Sequence, residues 1–175
     1  MTERIYIGLD ECGYAMRYDP LVIVACPSVD MADVELRRLE KRRYLDEEVL
    51  HHDFLYMRAI VPKGSLNKVK ESCVIRLVEV ARERFAQNGE SIEIYFDAGM
   101  MKRESLVGRT DLGISAVRII ACADKKLTLV NKADHLASVI YRYLSEHPVH
   151  RERIERLKFR SDWIDGKLEA SRVNI

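Results

Sequence analysis

An acidic pair between two apolar segments constrains the fold of this 175-residue chain more than any other feature. Residues 5–9 read Ile-Tyr-Ile-Gly-Leu, the alternation of a β-strand with one buried face. Leu21 to Cys26 form a continuous, largely β-branched run, which is typical of a strand buried on both faces. Asp10 and Glu11 therefore follow the first strand and begin a turn or hairpin between two core strands.

The acidic pair has two interpretations. Asp and Gly favour tight turns, so Asp10 to Gly13 are consistent with turn formation alone. Carboxylates beside a buried strand are costly, however, unless water or a bound group compensates their charge. Asp10 and Glu11 are therefore also candidates for a functional site, and this stretch by itself leaves both interpretations open.

Composition and cysteine usage indicate one reduced, cytoplasmic domain. A chain of 175 residues with 47% hydrophobic content can bury a sizeable core, and 29 Lys and Arg balance 28 Asp and Glu, so no global basic charge indicates nucleic-acid binding. Four scattered cysteines without a Cys-x-x-Cys pair favour packing roles over disulfides or a zinc site. The N-terminus lacks a signal-peptide core and no apolar run approaches the roughly 18 residues of a membrane span, so we expect no membrane association.

Strand and helix patterns alternate along the chain. The clearest helix begins at the predicted N-cap Ser65 and ends at Asn88-Gly89. The charged segment after Pro27 is predicted to be a surface helix, and its basic residues 37–43 are either a solvated face or a phosphate-binding patch. The predicted strands cover 1–9, 21–26, 54–61, 91–96 and 114–123. The predicted helices cover 30–48, 65–88, 150–159 and a segment from Asn131 to Pro148. Residues 100–113 are predicted to form a short helix or loop, and Trp163-Ile164 are predicted to anchor the C-terminal tail.

Acids recur at the ends of these predicted elements. Asp97 follows the fourth strand as Asp10 follows the first, and Asp134 lies in the first turn of the helix that begins at Asn131. Taken alone, Asp134 is explained by capping or by the helix dipole. If the two strands are neighbours and the helix packs over their ends, the three carboxylates converge. The spare acids Asp19, Asp111 and Asp124 are predicted in surface turns, with Asp124 as the substitute ligand if the register differs.

A converging set of carboxylates indicates a divalent cation. Like charges at short distance oppose one another's ionisation unless a cation lies between them. Oxygen ligands without His or Cys select Mg²⁺ or Mn²⁺ over zinc. Two such ions about 4 Å apart activate the attacking water and stabilise the leaving oxygen of a phosphodiester displacement. The acids therefore predict metal-dependent phosphate chemistry.

The acids also lie in motifs that resemble those of the ribonuclease H-like superfamily, most specifically archaeal-type ribonuclease HII. That family opens with Gly-Ile-Asp-Glu-Ala-Gly and has a proline ten residues after the aspartate; residues 8–13 here read Gly-Leu-Asp-Glu-Cys-Gly and are followed by Pro20. The family's Ile-Tyr-x-Asp-Ala and Lys-Ala-Asp motifs are matched at 94–98 and 132–134. The order and approximate intervals agree over residues 4–145.

The resemblance implies an α/β, ribonuclease H-like fold with a central mixed β-sheet flanked by α-helices. It implies a single domain over 1–175, with its core over 4–145 and a C-terminal helical tail over 146–175. It also implies a two-metal nuclease that uses Mg²⁺ or Mn²⁺ and hydrolyses RNA in RNA/DNA hybrids. Its metal-binding catalytic residues would be Asp10, Glu11, Asp97 and Asp134.

Departures from the family bear on the substrate. Where ribonuclease HII has the Gly-Arg-Gly loop that contacts the ribose 2′-hydroxyl, this chain has Gly13-Tyr14-Ala15. After Asp134, no lysine matches the family's Ala-Lys helix. The chain also resembles uncharacterised small proteins of the same fold that open with Asp-Glu-Ser-Gly, a resemblance that shares the acids and implies no particular substrate.

The leading hypothesis from the sequence is therefore a metal-dependent nuclease whose partner is nucleic acid. The alternative is a catalytically inactive ribonuclease H-like module that binds nucleic acid or a protein. A nucleotide-dependent kinase is disfavoured because no glycine-rich phosphate loop is present. Each candidate substrate-binding residue is either a phosphate contact or part of the solvated surface; these candidates are Tyr14, Arg17, Lys102 and Arg142, together with Arg103.

Overall fold

The computed structural model describes residues 4–13, 20–39, 46–86, 91–145, 151–158 and 160–175. Its centre is a five-stranded sheet of β1 (Arg4–Gly13), β2 (Leu21–Ser28), β3 (Leu55–Ala59), β4 (Ser91–Asp97) and β5 (Ile114–Ile120). The strand order is β3-β2-β1-β4-β5. β1, β4 and β5 are parallel, whereas β2 runs antiparallel to β1 and β3, so the sheet is mixed.

Helices cover both faces of this sheet. They are α1 (Asp46–Val49), α2 (Leu66–Phe85), α3 (Thr128–Leu144), α4 (Arg151–Lys158) and α5 (Ser161–Ser171). Ile5, Ile7 and Leu9 of β1 share one core with α2, while the intervening Tyr6 belongs to a second core with α3. The period of two along a strand therefore assigns α2 and α3 to opposite faces. The predicted mixed sheet flanked by helices is confirmed.

α3 lies alongside β1 at unusually close range. A Cβ atom on Gly8 would lie 2.6 Å from the carbonyl carbon of Leu129, and one on Gly13 would lie 3.0 Å from the Tyr141 ring. From Leu129 to Tyr141 the helix rises about 18 Å, and from Gly8 to Gly13 the strand advances about 17 Å. The helix and the strand therefore run side by side in the same direction.

β1 is longer than the sequence predicted. The prediction that it ends at Leu9 is wrong, because the next four residues continue the antiparallel ladder with β2, from Asp10 opposite Val24 to Gly13 opposite Leu21. Partners on β2 satisfy this backbone, so turn-forming residue types remain extended. Asp10 and Glu11 consequently lie within a strand.

The predicted helix over 30–48 is also wrong. A 3₁₀ turn covers Met31–Val34, and the side chain of Asp30 caps it by accepting a hydrogen bond from the Ala32 amide at 2.9 Å. The amides of Arg37 and Leu39 then donate to the carbonyls of residues 126 and 125, respectively, each at 3.1 Å, instead of to a helical turn. Residues 40–45 lie outside the described ranges, and α1 follows. The thin apolar stripe of this segment was too weak a pattern to specify a helix.

α3 begins three residues earlier than predicted, at Thr128 rather than Asn131. Asp134 is therefore in the second turn, and the first turn contains no acid. Capping and the helix dipole act within the first turn, so neither explains Asp134. The N-cap prediction for Ser65 places the start of α2 correctly, but its side chain makes no capping hydrogen bond.

The C-terminal segment returns to the edge of the sheet. α4 falls within the predicted helix over 150–159, and α5 follows it. Ile164 of α5 is buried, while the neighbouring Trp163 stacks at the surface against His51 with ring centroids 4.9 Å apart. The Val173 amide then donates to the carbonyl of Tyr56 on the edge strand β3 at 2.9 Å.

The four cysteines are free thiols: Cys26 and Cys73 are buried, Cys12 is partly buried and Cys122 is exposed. Within the described ranges, no helix has the length and apolar character needed to cross a membrane.

Candidate metal site at the carboxyl edge of the sheet

Asp10 and Asp97 lie on neighbouring strands, directly after the last parallel pair between them. We call this side of the sheet, where the parallel strands have their carboxyl ends, its carboxyl edge. The last parallel pair between β1 and β4 joins Leu9 to Phe96, and each aspartate is the next residue of its strand. Leu9 and Phe96 point into the core on the α2 side, so alternation along the strands directs both aspartates to the α3 side. The expectation that these two acid-bearing strands are neighbours is confirmed.

Asp134, on α3, lies at the same height along β1 as Asp10. Starting from the contact between Gly8 and Leu129, Asp10 lies about 7 Å further along the strand and Asp134 about 7.5 Å further along the helix. The two acids are therefore level with each other. In agreement with this placement, the charge of Asp134 raises the pKa of Asp10.

A fourth acid, Asp124, belongs to the same group. It lies in the 3₁₀ turn Ala123–Lys125, which follows β5, the third parallel strand that ends at this edge. The Ala123 amide donates to Oδ2 of Asp97 at 2.9 Å, and Nδ2 of Asn131 donates to the Asp124 carbonyl at 2.8 Å. Sequence reasoning placed Asp124 in a surface turn; the signal it underused is that Asp124, like Asp97, follows a parallel strand. We call Asp10, Asp97, Asp124 and Asp134 the acidic cluster.

Burial and the charges of neighbouring acids oppose the ionisation of two members of this cluster, Asp10 and Asp134. Burial raises the pKa of Asp10 to about 7, a backbone hydrogen bond opposes the shift, and the charges of Asp134 and Asp124 add to it. Burial also raises the pKa of Asp134; His135 lowers that pKa, and Asp124 raises it. A positive charge bound among these carboxylates would favour their ionised forms.

Glu11 lies on the opposite face of the sheet from the acidic cluster. As the neighbour of Asp10 in an extended strand it points to the α2 side, where its Oε1 forms an ion pair with Lys70. Lys70 Nζ also donates to the Met100 carbonyl at 3.1 Å. The other oxygen of Glu11, Oε2, is buried and has no hydrogen-bond partner among the described residues. Burial raises the pKa of Glu11 while Lys70 lowers it.

The acidic cluster fits a hard divalent cation by its chemistry. Its side chains offer oxygen ligands, which Mg²⁺ and Mn²⁺ prefer. In the part of the chain that the structure describes, no three Asp, Glu, His or Cys side chains stand close enough together to hold a metal ion. A cation would therefore have to draw the carboxylates together from these positions, and relief of the repulsion between them would favour that movement.

A groove lined by four cations shares a turn with the acidic cluster. Its volume is about 580 Å³, and the turn 123–125 contains both Lys125, which lines the groove, and Asp124 of the cluster. Hydrogen bonds from residues 37 and 39 to residues 126 and 125 connect its two segments. We call it the basic groove; its lining residues are Arg37, Arg38, Lys125 and Lys126, together with Leu36, Ile120 and Cys122.

The residues predicted to contact substrate have different surroundings. Lys102 is exposed and precedes the 3₁₀ turn Arg103–Ser105, in the segment that follows Asp97. Arg142 is only 5% exposed, and its Nε donates to the Ser138 carbonyl at 3.1 Å. The other two predicted contacts, Tyr14 and Arg17, lie outside the described residues.

The sheet order, the flanking helices and the acids at the carboxyl edge define a ribonuclease H-like fold, and comparison with solved structures supports this assignment. Ribonuclease H2 from Pyrococcus horikoshii OT3 superposes with a TM-score of 0.52 and 16% identity, covering 90% of this chain and 77% of its own. RNase HII from Archaeoglobus fulgidus, solved in complex with PCNA, gives a TM-score of 0.53 and 18% identity, covering 88% and 76%.

A bacterial-type relative shows the same likeness over a smaller part of its length. A glutamine-to-alanine mutant of Bst-RNase HIII gives a TM-score of 0.51 and 16% identity, covering 81% of this chain and 53% of its own. No family model and no curated protein matches the sequence. At these identities the likeness establishes the fold.

Proposed function

We propose that this protein is a metal-dependent nuclease that hydrolyses phosphodiester bonds, with the RNA strand of RNA/DNA hybrids as its preferred substrate. One observation carries the proposal: in a ribonuclease H-like fold, aspartates from two neighbouring parallel strands and from α3 come level at the carboxyl edge of the sheet. In open α/β sheets this edge is where ligands bind. The proposed metal ligands are Asp10, Asp97 and Asp134, with Asp124 as an additional acid of the same site.

The backbone orients two of these carboxylates. The Glu11 amide donates to Oδ1 of Asp10 at 2.7 Å, and the Ala123 amide donates to Oδ2 of Asp97 at 2.9 Å. Each bond fixes one oxygen and so sets the direction of the other. Asp134 is fixed in a different way, by the close packing of α3 on β1. The chain thus orients these carboxylates, and a cation would draw them together from these positions.

A divalent cation at this site supplies two effects, activation of the attacking water and stabilisation of the leaving oxygen of the phosphodiester. The ligand chemistry supports Mg²⁺ or Mn²⁺ because every proposed ligand is a carboxylate oxygen. The raised pKa of Asp10, about 7, means that a proton competes with the cation for this carboxylate.

The basic groove is the proposed contact surface for the nucleic acid. Its cations are opposite in charge to a phosphate backbone, and its apolar lining residues suit the faces of nucleobases or ribose. Because Asp124 and Lys125 are consecutive, a strand lying in the groove passes next to the acidic cluster. The exposed Lys102, which follows Asp97 in the chain, is proposed as a further phosphate contact.

The test is cleavage of a labelled panel: an RNA/DNA hybrid, a single ribonucleotide in duplex DNA, single-stranded RNA and single-stranded DNA, each with Mg²⁺, Mn²⁺ or a chelator. We expect metal-dependent cutting with the hybrid preferred. Asp97→Asn should reduce the rate by about 100-fold or more, since it removes a ligand charge. The matched control is Glu155→Gln, which neutralises an exposed acid on α4 and should cut like the wild type.

A second candidate function is an inactive module that binds nucleic acid or protein. It is favoured by the spacing of the acids, since no three of the described acid, His or Cys side chains are close enough to hold a metal ion. The same panel separates the two functions. Binding of a hybrid in a gel-shift assay, with no cleavage by folded protein in either metal, would replace the nuclease by this second candidate.

A further inference from the structure

Lys70 occupies a position where the sequence pattern calls for an apolar residue. It lies on the α2 stripe formed by Leu66, Cys73 and Leu77, which faces the sheet. It is 8% exposed. A lysine is rarely buried to this extent unless its ammonium group is paired, and its role should therefore be sought in what that group contacts.

The two acceptors of Lys70 belong to β1 and to the turn that follows β4. Its Nζ pairs with Glu11, the residue after Asp10 on β1, and donates to the Met100 carbonyl at 3.1 Å. Met100 lies in the turn after β4, where its own amide donates to the Asp97 carbonyl at 3.2 Å. One ammonium group thus joins the segments that follow Asp10 and Asp97.

We propose that Lys70 is a positioning residue for the acidic cluster. Its ammonium group connects Glu11 of β1 to the turn after β4, and this connection sets the spacing of Asp10 and Asp97. The same group holds Glu11 on the α2 side, away from the cation. The cation is then bound by aspartates alone, although Glu11 is adjacent to one of them in sequence. This inference rests on the proposed metal site.

The surroundings of the ion pair distinguish this role from a purely stabilising one. Glu11 Oε2 is buried without a hydrogen-bond partner among the described residues, so the pair is only partly satisfied. A buried ion pair is weak evidence for a stabilising role, because replacement of both partners by apolar residues of similar volume often keeps stability. A residue that acts only on stability would change the free energy of unfolding and leave the affinity for metal unchanged.

The experiment is a Mn²⁺ titration followed by electron paramagnetic resonance on the full chain, without nucleic acid. The test variant is Lys70→Met, whose side chain is unbranched like that of lysine, one atom shorter and uncharged. Lys68→Met is the matched control, because Lys68 is an exposed lysine on the same helix. Glu11→Gln is the third variant, since its amide oxygen still accepts a hydrogen bond from Lys70 but is a much poorer metal ligand.

We expect Lys70→Met to weaken Mn²⁺ binding by about tenfold or more, the usual effect of removing a group that orients metal ligands. Lys68→Met should bind like the wild type, and Glu11→Gln should lose less affinity than Lys70→Met. Where cleavage is measured, Lys70→Met should lower kcat more than it raises KM. If Lys70→Met does not fold, Lys70→Gln removes the same charge. It is also expected to lose more Mn²⁺ affinity than Glu11→Gln.

The proposal would be overturned if Glu11→Gln lost as much Mn²⁺ affinity as Lys70→Met, or more. Unchanged or tighter Mn²⁺ binding by Lys70→Met, together with loss of binding by Glu11→Gln, would make Glu11 a metal ligand for which Lys70 competes. Failure of the nuclease is distinguishable from this outcome. Wild-type protein that binds Mn²⁺ but cuts nothing contradicts only the proposed activity, whereas wild-type protein that binds no Mn²⁺ contradicts both.

Discussion

The carboxyl group of Asp10 couples the stability of the metal-free protein to pH. Its pKa is about 7 in the folded chain against 3.8 for an ordinary aspartate, so between these values the folded state holds a proton that the unfolded state has released. By linkage, the free energy of unfolding should fall as pH rises from about 4 to 7, by up to about 1.4 kcal/mol per pH unit, and level off above pH 7.

Urea unfolding in chelator at several pH values measures this coupling. The comparison is with Asp10→Asn, which cannot titrate at this position, so the difference between the two proteins isolates Asp10 from the other groups. Asp10→Asn should gain stability relative to the wild type as pH rises to about 7. Parallel curves for the two proteins over this range would show that Asp10 ionises normally in the folded state.

At the same scale, the sequence identified which acids lie near one another better than it identified the directions of their side chains. Asp10 and Asp97 were recognisable because each follows an alternating apolar run. The opposite orientations of Asp10 and Glu11 were not, since the prediction ended β1 at Leu9, and only continuation of the strand places consecutive residues on opposite faces. Asp124 was underestimated because a single acid after a strand also looks like an ordinary turn residue.

At the scale of elements, the packing of α3 on β1 depends on Gly8. A Cβ atom there would lie 2.6 Å from the Leu129 carbonyl carbon and 2.7 Å from its Cβ, so the helix would have to move. Gly8→Ala should therefore lower the free energy of unfolding by about 1–3 kcal/mol, the usual cost of overpacking. It should also weaken Mn²⁺ binding, because the same contact sets Asp134 level with Asp10.

Gly166→Ala provides the control for this substitution. Gly166 lies in α5, and a Cβ atom there has nothing within 4 Å. Alanine is the better helix former by about 1 kcal/mol, so this variant should be as stable as the wild type or more so. Equal stabilities of the Gly8→Ala and wild-type proteins in urea would show that α3 does not need this close approach.

The basic groove is tested by reversing two of its charges with Arg38→Glu and Lys125→Glu. These changes should weaken binding to an RNA/DNA hybrid. If each cation neutralises one phosphate, they should also lower the magnitude of the slope of log K against log salt by about 2. The control reverses Arg151 and Arg153, two exposed cations on α4. Filter binding at several salt concentrations gives both quantities, and an unchanged slope would assign the groove to ordinary solvated surface.

The same groove shows why some elements were predictable and others were not. α2 and α3 carry long apolar stripes that bury against the sheet, and their existence followed from periodicity. Residues 36–39 do not form a helix, and the amides of Arg37 and Leu39 bond instead to the carbonyls of 126 and 125, partners far away in sequence. Such partners leave no local pattern, so the charged segment resembled a surface helix.

For the whole molecule, the sheet separates two cores and brings the acidic cluster to the carboxyl ends of its parallel strands. The sequence pattern and the family resemblance together predicted the mixed sheet, its flanking helices and the edge at which the acids meet. They did not predict that the C-terminal segment bonds to Tyr56 of β3 through the Val173 amide, which covers an exposed strand edge. The prediction of one domain over 1–175 stays a prediction.

The proposed metal site is tested most directly by anomalous diffraction from crystals grown or soaked with Mn²⁺. We expect a Mn²⁺ peak on the α3 side of β1, within bonding distance of the carboxylates of Asp10 and Asp97, and its loss in Asp97→Asn crystals. A saturating soak that leaves this position empty, or a peak on the α2 side bonded to Glu11, would rule out the proposed site.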